Sequence, residues 1–119
     1  MRLVVDADHI ALGIDTAIPC GLIINELVSN ALKHAFPDGR SGVIRVSLHP
    51  TADGRYRMVV ADDGVGLPVA IDPRKTTTLG LQLVMTLTDQ LNGELEAKRG
   101  HGTEFIITFS EAKARQQIE

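Results

Sequence analysis

Apolar residues recur along this chain with two different periods. Between Ala17 and Phe36, the positions Ile24, Leu27, Val28, Ala31, Leu32 and Ala35 follow i, i+3, i+4, i+7 spacing. This predicts one long amphipathic helix over about 17–36. Asp15-Thr16 offers cap chemistry at its start, Pro19 suits the first turn, and Pro37-Asp38-Gly39 stops it. A second helical period runs from Gly80 to Leu91, with Leu83, Val84, Leu87 and Leu91 on one side. Asn92-Gly93 marks its C-terminal end.

Elsewhere the period is two. Leu3-Val4-Val5 reads as a strand, and Ile10, Leu12 and Ile14 alternate with small residues as a second one after the Asp6-Ala7-Asp8 turn. Val43–Leu48 and Arg55–Ala61 form a hairpin around Ala52-Asp53-Gly54. Leu95 and Ala97 mark another strand, Arg99 to Gly102 turns, and Phe105, Ile107 and Phe109 line one face of the last. The order does not alternate strictly. It predicts an α+β fold: a two-layer α/β sandwich with a mixed, mainly antiparallel sheet and helices on one face. Residues 1–109 make the domain, and Ser110 to Glu119 is a polar tail.

Composition narrows the class. A chain of 119 residues is large enough for one core, and 44% apolar residues suit a packed domain. Aromatics are 3% and Trp is absent, so that core is aliphatic. A net charge of −3 argues against nucleic acid, which calls for a clustered basic face. The single cysteine, Cys20, reads as a small core residue in a reducing compartment. Met1-Arg2 leads at once into a strand-like run, which is not signal-peptide wording. No apolar run approaches the ~20 residues of a membrane span, so the domain is expected to be cytoplasmic and free of membrane contact.

Candidate chemistry lies on the first helix. At ~100° per residue, Glu26, Asn30 and Lys33 fall within roughly 60° of one another, away from the apolar stripe, with His34 beside them. Taken alone, this pattern is better read as a solvated helix face. Asn is a poor mid-helix residue, however, and Asn30 calls for a reason. A hard cation bound through its amide oxygen, together with phosphate oxygens and water, supplies one. Farther on, Asp62-Asp63-Gly64-Val65-Gly66 follows a buried-looking strand. It reads either as a plain Asp-Gly turn or as an acceptor for an exocyclic amine beside a backbone that approaches a flat ligand closely. Gly80 opens a helix whose first N–H groups suit phosphate, or are simply capped. There is no Walker sequence and no dinucleotide fingerprint. No His/Cys/Asp metal cage or Ser-His-Asp set stands out.

In order, Glu26-x-x-x-Asn30-Ala31-x-Lys33-His34, Asp62-x-Gly64-x-Gly66, Leu79-Gly80-Leu81 and Gly100-x-Gly102-Thr103-x-Phe105 resemble the N, G1, G2 and G3 boxes of the GHKL ATP-binding superfamily. The resemblance covers about Leu3 to Phe109. Its wording is similar to that of the ATP-binding domains of bacterial sensor histidine kinases. It implies roles residue by residue. Asn30 is the Mg²⁺ ligand and Asp62 reads the adenine amine, with Gly64 and Gly66 letting the base lie close. Lys33 meets phosphate, and His34 flanks the nucleotide. Glu26 matches the general base of the ATPase members. Leu67 to Leu79 is the ATP lid, with Arg74 or Lys75 reaching the terminal phosphate, and Gly80 and Leu81 form its hinge. Thr78, Leu79 and Thr103 complete the ATP-contacting set.

The chain also departs from the pattern. Glu26 stands where many histidine kinases carry Asn, Thr78 replaces a glycine, and the lid carries no phenylalanine. None of the four histidines is followed by Asp or Glu, as a phosphoacceptor would be. The resemblance therefore implies a catalytic domain that uses MgATP to phosphorylate a histidine on a separate helical-hairpin domain, with a response regulator downstream. An anti-sigma serine kinase of the same superfamily and a nucleotide-dependent interaction module without turnover are the alternatives.

Overall fold

The computed structural model describes residues 2–7, 10–34, 42–64 and 79–111. In chain order the elements are β1 (Arg2–Ala7), α1 (Ile14–His34), β2 (Val43–Pro50), β3 (Tyr56–Asp62), α2 (Leu79–Gln90), β4 (Glu94–Gly100) and β5 (Gly102–Phe109). The strands form one sheet in the order β1-β2-β3-β5-β4. β1 joins β2 in parallel, and the other three pairings are antiparallel. The helices pack on each other and on one face of the sheet, so the α+β, two-layer architecture with a mixed, mainly antiparallel sheet is the observed one.

The first hairpin is corrected. Residues 10–13 form no strand, and Ile14 is the first residue of α1. The alternation of apolar and small residues there forms no hairpin with β1, whose ladder partner is β2, reached through a long crossover that carries α1. The Gly13 carbonyl accepts from the N–H groups of Thr16 and Ala17 at 3.0 and 2.8 Å and so starts the helix. Asp15 therefore lies in the first turn, favourably placed against the helix dipole, and Pro19 is inside the helix. The missing N–H of Pro19 leaves the Asp15 carbonyl without its usual helical donor. The predicted helix end at Phe36 lies outside the described residues.

The buried stripe of α1 is also rotated from expectation. Thr16, Cys20, Ile23, Leu27 and Ala31 face the core, while Ile24 and Val28 are half-buried at its margin. Leu32 is 50% exposed. On α2 the buried positions are Leu81, Val84, Leu87 and Thr88, and Leu83 is 38% exposed. Thr88 is tolerated there because its hydroxyl donates to the Val84 carbonyl at 2.7 Å. Burial pushes the Cys20 thiol up to about 11, which marks it as an inert core group, as its sequence position suggests.

The sheet supplies the opposite wall. Ile44, Val46, Met58, Val60, Leu95, Phe105, Ile107 and Phe109 are buried at alternate positions of their strands. Tyr56 stacks on Phe109 with ring centroids 5.7 Å apart. The Asn92-Gly93 stop is realised as a Schellman turn. Asn92 takes a left-handed φ of 52°, its N–H bonds the Asp89 carbonyl, and the Gly93 N–H bonds the Thr88 carbonyl, both at 3.0 Å. Ser110 and Glu111, at the start of the predicted tail, are tied down. The Ser110 hydroxyl accepts from Arg55 Nε, and the Glu111 carboxylate accepts from the Gly13 N–H.

The rotated stripe has a direct test. Leu27→Ala removes a fully buried side chain and should cost about 2.7–5 kcal/mol of unfolding free energy. Leu32→Ala should cost less than about 1 kcal/mol, since half of that side chain is already in water. Urea unfolding of both variants checks this, and equal losses would contradict the observed helix phase.

Candidate functional site

The candidate residues fall into two groups, one at an end of the sheet and one in the helix layer. Side chains alternate along β3, with Met58 and Val60 buried beneath the helices. Asp62 ends the strand two residues farther on and points to the same side. Its partner across the ladder is Thr103, which is buried and shares the helix-facing side of β5 with Phe105 and Ile107. Asp62 is thus placed at the margin of the core, half-buried, instead of on the solvent face of the sheet.

Four backbone contacts sort the two adjacent aspartates. The Gly64 N–H donates to Asp62 Oδ1 at 3.0 Å, and the Thr103 backbone donates to the same carboxylate. Asp63 turns the other way, where its Oδ1 accepts from the Val43 N–H at 2.8 Å and its own N–H bonds the Val43 carbonyl. Asp63 therefore ties the end of β3 to the start of β2. Asp62 keeps acceptor capacity, because an ionised carboxylate has about four lone-pair sites. Burial raises the Asp62 pKa above the ordinary aspartate value. The hydrogen bonds from Gly64 and Thr103 oppose that, and the neighbouring Asp63 charge adds to it.

In the helix layer, Glu26 and Asn30 are half-buried one turn apart on α1, while Lys33 is exposed. They face the first turn of α2. A Cβ built on Gly80 would lie 2.6 Å from Glu26 Oε1 and 3.9 Å from Asn30 Nδ2. Any side chain at 80 would displace the Glu26 carboxylate, so glycine at this position lets the start of α2 come down on the polar line of α1. The structure thus joins the N-box and G2-box positions in one contact. Leu81 is buried in the core, so its side chain is committed to packing, and Leu79 is fully open to solvent.

Gly66, Leu67 and Thr78, with the rest of the predicted lid up to Thr78, lie outside the described residues, as does the His34 side chain. Among the described residues no cluster of three or more His, Cys, Asp or Glu side chains could hold a metal ion. Asn30 and Glu26 nevertheless offer neighbouring hard oxygen donors. That small set fits Mg²⁺, which takes one or two protein ligands and completes its shell with water and phosphate. Two features were not legible from the motifs: the contact between Gly80 and Glu26, and the close approach of Gly102 to Asp62. Both depend on elements distant in sequence. No helix among the described residues is long and apolar enough to cross a membrane.

Comparison with known proteins supplies the family. Residues 16–113 match the family described as histidine kinase-, DNA gyrase B-, and HSP90-like ATPase. Over 117 residues the chain is 33% identical to blue-light-activated histidine kinase 2 of Erythrobacter litoralis, covering 98% of this chain and 34% of that protein. It is 37% identical over 97 residues to the sensor histidine kinase PdtaS of Mycobacterium tuberculosis, covering 78% of this chain and 19% of PdtaS. The chain therefore spans about a third of the length of the first relative and about a fifth of the second. The solved histidine kinase domain of the Erythrobacter litoralis EL346 protein superposes with a TM-score of 0.85 at 35% identity, covering 92% of this chain and 51% of that one.

The raised pKa of Asp62 gives a signed prediction. A carboxyl whose folded pKa lies above its unfolded value binds more protons in the folded chain between those two values. The associated stability is present below the unfolded value and is lost as pH rises through the folded one. Asp62→Asn keeps an acceptor for Gly64 and Thr103 while removing the charge. It should raise the nucleotide-free melting temperature at neutral pH, and the gain should vanish at acid pH, where Asp62 itself is neutral. A melting temperature lowered equally at both pH values would contradict the burial cost.

Proposed function

Because the chain belongs to the histidine kinase-, DNA gyrase B- and HSP90-like ATPase family, as the ATP-binding domain of a sensor histidine kinase, we propose that it binds MgATP and donates the γ-phosphoryl group to a histidine on a separate helical-hairpin domain. The observation that carries this reading is the placement of Asp62. It is a half-buried carboxylate on the helix side of the sheet, held by two backbone donors and able to accept a further bond. An adenine amine supplies that bond, whereas guanine presents a carbonyl at the same ring position.

The residues of the helix layer handle the phosphates. Asn30 would hold Mg²⁺ through its amide oxygen, with Glu26 as a second oxygen donor beside it, and the ion would supply charge neutralisation at the phosphate oxygens. Lys33, exposed one turn after the Glu26–Asn30 pair, carries an ammonium to the phosphate chain. Glu26, held against Gly80, orients the reacting group. Little covalent chemistry is asked of the protein in phosphoryl transfer, so its work is positioning and charge neutralisation.

Among the described residues, the histidines are poor acceptors. His49 lies on the sheet face opposite the helices, where it pairs with Asp6 at 3.4 Å, and His101 sits exposed at the β4–β5 turn. His34 belongs to the site helix, with its backbone fixed by α1. A transfer geometry requires the acceptor nitrogen about 3–3.5 Å from the phosphorus, in line with the leaving oxygen. The missing acceptor is therefore expected on the helical hairpin of the parent protein, from which a response regulator takes the phosphoryl group.

Titration with nucleotides tests the reading. The chain should bind MgATP in preference to MgGTP, and Asp62→Ala should weaken ATP by about ten- to a hundredfold, the value of one charged hydrogen bond. Equal affinity for the two nucleotides would remove the assignment of Asp62. Asn30→Ala should abolish the magnesium-dependent part of ATP binding with little change in nucleotide-free melting temperature. With γ-labelled ATP, the chain alone should form no acid-labile phosphohistidine, and adding the hairpin domain should restore labelling. Labelling of a serine on an added partner would instead identify an anti-sigma kinase.

A further inference from the structure

We propose that Gly102 is a positioning residue for base recognition, setting the Asp62 carboxylate from the neighbouring strand. This rests on the reading of Asp62 given above and extends it to a residue that touches no ligand. Gly102 opens β5 with φ of +97°. A Cβ built there would lie 1.9 Å from the Asp62 carbonyl oxygen, 2.8 Å from its carbonyl carbon and 2.9 Å from the Asp63 Cα. These are backbone atoms at the end of an interior strand, which cannot swing aside as the end of a side chain would.

A φ of +97° is already strained for a residue with a Cβ, and the approach to β3 is a second, separate constraint. The turn requires Gly100 to face Gly102 across His101, but it does not require contact with β3. What the absence of a Cβ permits is that contact. It lets the start of β5 close onto the end of β3, so that Thr103 stands opposite Asp62 in register. The Thr103 backbone then donates to the Asp62 carboxylate, while Gly64 donates from the following turn. A side chain at 102 would force the Asp62 carbonyl away, and the carboxylate with it. One of its two holding bonds would be lost, and the direction in which it meets a base amine would change.

Competing ligands separate this role from a purely structural one. ATP and purine riboside triphosphate differ only in the exocyclic amine, so their affinity ratio reports Asp62 and not the phosphate site. The wild-type chain should prefer ATP by about tenfold or more. Asp62→Ala should abolish the preference. Gly102→Asn, which adds a Cβ at this strained angle, should also abolish it while binding purine riboside triphosphate within about twofold of wild type. Gly54→Asn, at a left-handed glycine with nothing within 4 Å, should leave the preference intact.

If wild type shows no preference, or Asp62→Ala keeps it, the base-recognition reading itself fails. If Asp62→Ala loses the preference while folded Gly102→Asn keeps it, the role of Gly102 fails alone. Should Gly102→Asn not fold, the wild-type amide resonances decide. The Thr103 and Gly64 N–H signals should titrate together with Asp62, and both movements should disappear in Asp62→Asn. A Thr103 amide indifferent to Asp62 would overturn the proposal.

Discussion

The two-residue period of β3 is the constraint on which both the core and the candidate site depend. β3 lies inside the sheet, held by β2 on one side and β5 on the other through antiparallel ladders. Its register cannot slip by one residue without turning Met58 and Val60 out of the core. The same register delivers Asp62 to the helix side at the strand end. A hydrophobic requirement therefore orients a carboxylate, and no separate device is needed to aim it.

That arrangement has an energetic cost of its own. A half-buried carboxylate beside a second aspartate is disfavoured in its charged form, as the raised pKa of Asp62 indicates. Backbone N–H groups from Gly64 and Thr103 offset part of the cost, and they come from two different elements. Asp63 is kept out of the competition by its bond to Val43. The result is one aspartate used for the ladder and one left with acceptor capacity, a division of labour expected where a buried group must recognise a polar ligand.

Two glycines serve the helix layer and the sheet in the same physical way. Gly80 admits the first turn of α2 to the Glu26–Asn30 line, and Gly102 admits the start of β5 to Asp62. Each brings together segments far apart in sequence by omitting a side chain at the point of contact. The polar residues gain their surroundings from these approaches, because neither α1 nor β3 alone would enclose them.

Much of this protein was legible in its sequence. Both long helical periods, the β2–β3 and β4–β5 hairpins, the Asn92-Gly93 stop and the aliphatic core followed from local spacing, because helix and strand periods repeat within a few residues. The ordered motifs around Glu26, Asn30, Asp62 and Gly80 identified the family before any geometry was known. Tertiary structure decided the rest. Residues 10–13 alternate like a strand, but they lead straight into α1, and the strand that pairs with β1 is β2, beyond the whole of that helix. The buried stripe of α1 shifted to Cys20, Ile23, Leu27 and Ala31, leaving Leu32 exposed, because helix phase is set by what lies beneath. Which of Asp62 and Asp63 stays available, and why Gly102 must be glycine, depends on β3 meeting β2 and β5. Those contacts join residues 20 to 40 positions apart, and local pattern carries no information at that range.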